Sequence, residues 1–229
     1  DLEAIFPTSQ YKDDILTTVK AINDPKGSLS LLKKALADPS AAILAAAVAE
    51  DFAAPELRPA LLEILSTDKA MKARLNALKA LAKLDQASLK ADEDLLIQLL
   101  RNDPNLQGFE VNALAAELLG HLASEKAVPD LVVGLFVRAQ HGGALYSSCR
   151  KALVRIGKPA VDAIVGVMPN DPKAADLIKA LDDSAKRMGI ASWQWRDGPE
   201  FIQVLGVLRD PAAAKVIAAS LAKPLVPPV

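Results

Sequence analysis

One recurring connection limits how this chain can fold: a large apolar residue followed three positions later by proline. It occurs at 22–25, 52–55, 156–159 and 208–211, and a longer version runs from Leu122 to Pro129. Proline fixes φ and lacks an N–H, so it is accommodated in the first turn of a helix without loss of a hydrogen bond. Each connection therefore predicts the end of one helix and the start of the next.

The spacing of these connections indicates a repeat. With a sixth connection after Leu84, which lacks the proline, the last apolar residues stand at 22, 52, 84, 122, 156 and 208, so they are 30, 32, 38, 34 and 52 residues apart. Each interval contains two stretches with helical periodicity, and no stretch has the alternation of a strand. We therefore predict an all-α chain of helix pairs. The second helices are expected at about 40–52, 69–84, 106–122 and 144–156.

Polar corners separate the two helices of each predicted pair. They read "ADPS" at 37–40, "STDK" at 66–69, "RNDPN" at 101–105 and "PNDPK" at 169–173. Asp and Asn side chains accept hydrogen bonds from the free N–H groups at helix starts. We expect these residues to cap the second helix of each pair.

Composition narrows the classes of function. Apolar residues make up 51% of the chain but aromatic residues only 4%, which favours close helix packing over a large ligand cavity. The net charge of −1 argues against nucleic-acid binding, which requires a positive surface. The single cysteine, Cys149, excludes an internal disulfide and a cysteine-based zinc site. No apolar run approaches the roughly 20 residues that span a bilayer, so we expect no membrane insertion by this chain.

Two segments, "ALVRIGKPAVDAIVGVM" (152–168) and "VLGVLRDPAAAKVIAASL" (204–221), resemble HEAT repeats of the bacterial type, which phycobilin lyases share. The resemblance implies a right-handed α-solenoid, a superhelix of antiparallel helix pairs, in a single array over 1–229 with an irregular insertion at about 169–199. It also implies a non-enzymatic scaffold or adaptor for a protein partner, bound on the surface that the second helices line. Asp68 and Arg74 fit the Asp–Arg ladder seen in some HEAT proteins, but the other corners lack the arginine.

Several residues are candidates for partner binding. Outward positions on the predicted second helices include Lys72, Lys79, Lys83, Arg150 and Arg155, together with Glu110 and Glu117. In the insertion, Trp193, Trp195 and Arg196 are of the types favoured at binding hot spots. The alternative for the tryptophans is that they cover an exposed end of the repeat core, and a third reading is base stacking.

Motifs for catalysis, cofactors and metals are incomplete. Gly157-Lys158 is followed by Pro159 instead of Ser or Thr, so it does not match a phosphate-binding loop and predicts a helix corner. Only two histidines occur, His121 and His141, and neither belongs to a zinc motif. Cys149 occupies a small-residue position of an amphipathic helix, where we expect packing. We therefore predict no enzyme activity, no cofactor and no metal.

Two other functions remain open. HEAT-like alkylpurine DNA glycosylases are of similar size, although the net charge disfavours that reading. A purely structural spacer is the second alternative. The first residue is Asp1, from which we expect a processed or truncated N-terminus. Similar repeat proteins occur as lipoproteins, which favours the bacterial cell envelope or periplasm, with the cytoplasm as the alternative. Partner identity and oligomeric state are not predicted.

Overall fold

The fold is described from a computed structural model, which covers residues 2–67, 70–102, 109–137, 145–168, 175–188 and 199–221. Within these ranges every regular element is helical and none is a strand, which confirms the all-α prediction. The α-helices are α1 (Leu2–Ile5), α2 (Lys12–Ile22), α3 (Pro25–Leu36), α4 (Ala42–Phe52), α5 (Arg58–Thr67), α6 (Met71–Ala82), α7 (Gln86–Ala91), α8 (Glu93–Arg101), α9 (Phe109–His121), α10 (Val128–Gly134), α11 (Tyr146–Ile156), α12 (Lys158–Val167), α13 (Ala175–Arg187), α14 (Pro199–Leu208) and α15 (Pro211–Leu221).

The predicted corners that contain proline share a positive φ, with left-handed helical backbone at Asn23 and Ala53 and a different ψ, −123°, at Gly157. The residue directly after each apolar anchor has a positive φ: Asn23 (53°), Ala53 (46°), Ala123 (49°), Gly157 (76°) and Arg209 (52°). A single residue of this kind ends a helix and turns the chain, because its N–H bonds back to a carbonyl of the last turn. At the connection without proline, the residue after Leu84 is Asp85, which has an ordinary φ of −67°. The proline pattern therefore marks corners at which the residue after the anchor has a positive φ.

The helices fall into two sets at these corners. We call the helices that end at a corner B helices (α2, α4, α6, α9, α11 and α14) and the helices that follow a corner A helices (α3, α5, α7, α8, α10, α12 and α15). Four B helices, α4, α6, α9 and α11, match the predicted second helices to within three residues.

The predicted side-chain caps are absent at the starts of α4 and α6, while residues 103–105 and 169–173 of the other two corners lie outside the described residues. The start of α4 is capped by Ala41 and the start of α6 by Ala70, neither of which has a capping side chain. The Asp38 carboxylate in the first polar corner accepts from the Ser40 N–H (2.9 Å) and from Lys12, so it is not available to α4. The prediction was wrong here. Asp caps occur instead at A helices, as Asp24 accepts from the Gly27 N–H (3.1 Å).

The chain forms two compact units, residues 1–92 and 93–229. In the first unit, B helices contact B helices and A helices contact A helices. Helix α4 packs between α2 and α6, and α3 packs against α5. The pairs α3–α4 and α5–α6 join the two layers. Alanines fill the contacts, and Ala45, Ala46 and Ala77 have no exposed surface. Small side chains let helix axes approach closely, as the composition predicted.

The second unit repeats this arrangement. Helix α11 packs between α9 and α14 in the B layer, while α10 packs against α8 and α12 in the A layer. The backbones of α9 and α11 approach so closely at Gly120 that an added Cβ would lie 2.6 Å from the Cα of Ala152. Helix α13, which falls in the predicted insertion, packs against A helices α10 and α12. The insertion thus adds a helix to the A side of the unit.

Candidate functional site: the surface of the B helices

Apart from α2, which carries both signs, each B helix carries charged residues of one sign. In the first unit, α4 has only acidic charged residues, Glu50 and Asp51, whereas α6 has only basic ones. In the second unit, α9 carries Glu110 and Glu117 without Lys or Arg, and the neighbouring α11 carries three basic residues and no acidic one. Each unit therefore places an acidic B helix directly against a basic B helix. We call the outer faces of the B helices the B surface.

On α6, three predicted site residues form one row. Lys72, Lys79 and Lys83 are exposed, and their spacing of seven and four residues places them on one stripe of the helix. None of the three makes an ion pair with another described residue, so their charges are available to a ligand. Asn76 lies in the same row and donates to the Ile43 carbonyl (3.0 Å), which holds α6 against α4.

One of the two acidic residues of α4, beside this row, is paired with a lysine of another helix. Lys20 of α2 pairs with Asp51 of α4 at 2.8 Å, and this hydrogen bond with Asp51 raises the pKa of Lys20. Within the first unit, the α4 carboxylate therefore turns toward α2 instead of neutralising the lysines of α6. The row on α6 keeps its positive charge.

On α11, Lys151 and Arg155 are exposed one turn apart and form no ion pair with the described residues. Glu117 of the neighbouring α9 accepts a hydrogen bond from the Ser148 hydroxyl (3.2 Å), which ties α9 to α11. The second unit therefore presents a basic strip on α11 beside an acidic one on α9.

Arg150 is half-buried, in contrast to the exposed Lys72, Lys79, Lys83 and Arg155. Its guanidinium carbon lies 5.9 Å from the centre of the Tyr146 ring, at the range of a cation–π contact. The Tyr146 hydroxyl donates to Gln203 of α14, so this group occupies the junction of α11 and α14. Arg150 Nε is inaccessible to solvent and has no acceptor among the described residues.

The A layer contains buried ion pairs that sequence analysis missed. Arg58 and Asp92 pair bidentately in the first unit. In the second unit, Arg101 donates to both oxygens of Asp130 (2.7 and 2.9 Å), and the Ser184 hydroxyl of α13 donates to Asp130 at 2.5 Å. The hydrogen bond to Asp130 raises the pKa of Arg101. The sequence contains a signal for these two pairs, because Asp92 lies eight residues after the anchor Leu84 and Asp130 lies eight residues after the anchor Leu122.

The predicted ladder residue Arg74 is buried in the first unit, and its expected partner Asp68 lies outside the described residues. Arg74 is 6% exposed and its Nε donates to the Leu65 carbonyl (3.2 Å) near the end of α5. Asn112 is placed equivalently, ten residues before its anchor, and its amide donates to the Leu99 (2.9 Å) and Asn102 (2.6 Å) carbonyls around the end of α8. Both side chains satisfy carbonyls that a helix end leaves free.

The motifs set aside as structural take structural positions. Helix α11 ends at Ile156 and α12 begins at Lys158, which confirms a corner at Gly157-Lys158, and Lys158 pairs with Asp162. Cys149 has no exposed surface, which confirms its packing role. Its burial, followed by the nearby charge of Asp130, raises the pKa of the thiol far above its ordinary value, so it is held as the thiol.

Three predicted site residues, Trp193, Trp195 and Arg196, lie outside the described residues, as do His141 and Asp68. Among the residues described, no group of three or more His, Cys, Asp and Glu side chains is arranged to hold a metal ion. Within the same ranges, no helix is long and apolar enough to cross a membrane.

Comparisons with known proteins do not assign the chain to a family. No family model matches it, and no curated protein is significantly similar to it.

Proposed function

We propose that this protein is a non-enzymatic scaffold or adaptor that presents its B surface to a protein partner. The finer assignment, a right-handed HEAT-like solenoid of the bacterial type, belongs to the same proposal. The observation that carries it is the opposite charge of α4 and α6 in the first unit and of α9 and α11 in the second. The Lys72, Lys79 and Lys83 row on α6 and the Lys151 and Arg155 pair on α11 form no ion pair with the described residues.

Physical reasons favour a protein as the ligand. A row of unpaired lysines contributes little to folding, since exposed charges add at most small free energies of stabilisation. The same charges steer an oppositely charged partner and fix its register. Acidic helices beside the basic ones would repel a continuous polyanion, and a protein surface can carry both signs at matching positions. The acidic helices therefore disfavour the glycosylase alternative.

The test is proximity labelling in the source organism, with the full chain as bait and three variants. The first variant is Lys72→Gln/Lys79→Gln/Lys83→Gln on α6, and the second is Lys151→Gln/Arg155→Gln on α11. The matched control is Lys26→Gln/Lys33→Gln on A helix α3, where both lysines are exposed and form no ion pair with the described residues.

We expect a defined set of partners that the control retains and that at least one B-surface variant loses. Labelling without a reproducible partner would instead support a structural spacer. Partners lost equally from the control would show that the charges act without a preferred face, which contradicts the proposal. Salt-sensitive binding of duplex DNA by the purified chain would favour the glycosylase-type alternative.

A further inference from the structure

In the first unit, the acidic helix α4 and the basic helix α6 lie side by side and run in the same direction. A short corner joins α4 to α5 and a short connection joins α5 to α6, so the chain reverses direction twice between the two B helices. Arg74 near the start of α6 donates to the Leu65 carbonyl near the end of α5, as expected of an antiparallel pair. Helix α4 packs directly on α6, so the two are parallel neighbours.

Opposite charges lie at one height on these two helices. Asn76 donates to the Ile43 carbonyl (3.0 Å), which fixes the register of α6 against α4. Glu50 comes seven residues after Ile43, and Lys83 comes seven residues after Asn76. Seven residues make about two helical turns, so Glu50 and Lys83 lie at about the same height, with Lys79 one turn before Lys83.

Both signs of charge are open to a ligand at this height. Glu50 is half-buried, but its carboxylate forms no hydrogen bond or ion pair among the described residues and reaches solvent. Its neighbour Asp51 is already paired with Lys20. Lys79 and Lys83 are exposed and unpaired within the same part of the chain. A ligand for this surface must therefore carry both signs, side by side and in the opposite order.

A second copy of the chain has this arrangement of charges. If two copies face each other across a two-fold axis that runs parallel to the helices, over the groove between α4 and α6, then α4 of each copy lies on α6 of the other. The rotation leaves heights along the helices unchanged, so Glu50 of each copy meets Lys79 and Lys83 of the other. A two-fold axis perpendicular to the helices would instead set α6 on α6, lysine row against lysine row. A two-fold interface makes each contact twice, so the effect of a matched charge is doubled.

Apolar surface lies on the same face of α4. Ile43 is 38% exposed and lies on the same stripe as Glu50, and Leu44 and Ala47 are half-buried. The hydrocarbon stems of lysines pack on apolar surface of this kind. Burial of these groups favours association without fixing its direction, and the charges select one orientation.

We propose that the B surface of the first unit binds a second copy of this chain, in a two-fold dimer with α4 of each copy on α6 of the other. This inference rests on the proposed function, because it names the protein that one part of the B surface binds. The charges of α9 and α11 in the second unit are left for a different partner.

The test reverses the charges of the two helices separately in the full chain. Glu50→Lys places only basic residues opposite the lysine row, and Lys79→Glu/Lys83→Glu places acidic residues opposite Glu50. The controls are Glu56→Lys, between α4 and α5, and Lys26→Glu on A helix α3, because both side chains are exposed and lie outside the B helices. Sedimentation velocity over a wide range of concentrations measures self-association, and native mass spectrometry of mixtures identifies which copies pair.

We expect the wild type and both controls to form a dimer that weakens as salt is added. Each reversal should raise the dissociation constant about a hundredfold or more, because like charges then face each other twice in the dimer. An equimolar mixture of the two reversed variants should form a heterodimer, since every contact then joins opposite charges again. Melting followed by circular dichroism checks that each variant is folded. If a reversal lowers the melting temperature, Glu50→Gln and Lys79→Gln/Lys83→Gln replace it, and each should weaken the dimer.

Three results would overturn the dimer: a wild type that stays monomeric at every concentration, reversed variants that dimerise like the wild type, or folded variants that form no heterodimer when mixed. Proximity labelling separates these failures from failure of the proposed function. A monomeric chain whose labelled partners still depend on the B-surface lysines would contradict the dimer alone. A monomeric chain that labels no reproducible partner would contradict both.

Discussion

Replacing Arg101 by methionine should destabilise the second unit substantially. Asp130 has a side chain that is only 2% exposed, and Arg101 supplies two of its hydrogen bonds, at 2.7 and 2.9 Å. The variant keeps the apolar part of the side chain but leaves a buried carboxylate with the Ser184 hydroxyl and the more distant Arg187, at 3.9 Å.

The magnitude follows from that burial. Removing one partner of a buried ion pair costs about 3–5 kcal/mol, and the remaining contacts of Asp130 favour the lower end, about 3 kcal/mol. The reverse change, Asp130→Asn, should cost less, because the Arg101 side chain is 30% exposed and can reach water. In Arg101→Met/Asp130→Leu no buried charge remains, so we expect the double variant to be more stable than Arg101→Met alone.

The assay combines urea unfolding, followed by circular dichroism, with hydrogen exchange measured by mass spectrometry. Exchange is needed because a chain with two compact units can unfold in more than one step. A loss of about 3 kcal/mol should accelerate exchange in α10 and α13 about a hundredfold. Lys126→Met is the control, since the Lys126–Asp94 pair is 61% and 72% exposed, and it should unfold at the wild-type urea concentration.

Two results would refute this reasoning. If Arg101→Met unfolds at the same urea concentration as Lys126→Met, the pair does not stabilise the unit. If the double variant is no more stable than Arg101→Met, the cost does not come from an uncompensated buried charge.

Three further predictions concern packing, backbone and pH, each measured as the free energy of unfolding in urea. Gly120→Ala should lower the free energy of unfolding by about 1–3 kcal/mol through overpacking. A Cβ added at Gly206 has no neighbouring atom within 4 Å, so Gly206→Ala should stabilise α14 by up to about 1 kcal/mol. Equal effects of the two substitutions would contradict the packing argument. Ala53→Gly should stabilise by about 0.5–1 kcal/mol because Ala53 has a φ of 46°, and a loss of stability would show that this conformation is not strained. Hydrogen bonds from Lys12 and Ser40 lower the pKa of Asp38 below its ordinary 3.8. The difference in stability between wild type and Lys12→Met should therefore be present at neutral pH and shrink as the pH falls below about 4. A difference that is independent of pH would exclude this pair as its source.

Local chemistry explains why the corners could be predicted. Proline at 25, 55, 159 and 211 restricts its own φ and cannot continue a preceding helix, so these helix boundaries depend on few neighbours. The polar corners were less informative. Asp38 could cap a helix or bind a cation, and which one it does depends on Lys12, which is 26 positions away in the sequence.

The candidate site likewise combines features that the local sequence predicts with features that only helix packing decides. Lys72, Lys79 and Lys83 could be selected as outward from helical periodicity alone, and they are exposed. Arg150 was selected by the same rule, but its half-burial against Tyr146 and the link to Gln203 arise from the packing of α11 on α14. The hydrogen-bonded residues, Tyr146 and Gln203, are 57 positions apart in the sequence.

By itself, then, the sequence determined the helical class, the corners and the anchor positions, because these depend on backbone restrictions and on periodicity within a few residues. Only the tertiary structure decided which charges are paired. It brings Arg101 to a buried Asp130, and it leaves the Arg150 Nε without an acceptor among the described residues. Whether a charge is buried and whether a partner reaches it depend on helices that are distant in sequence, and no local pattern contains that information.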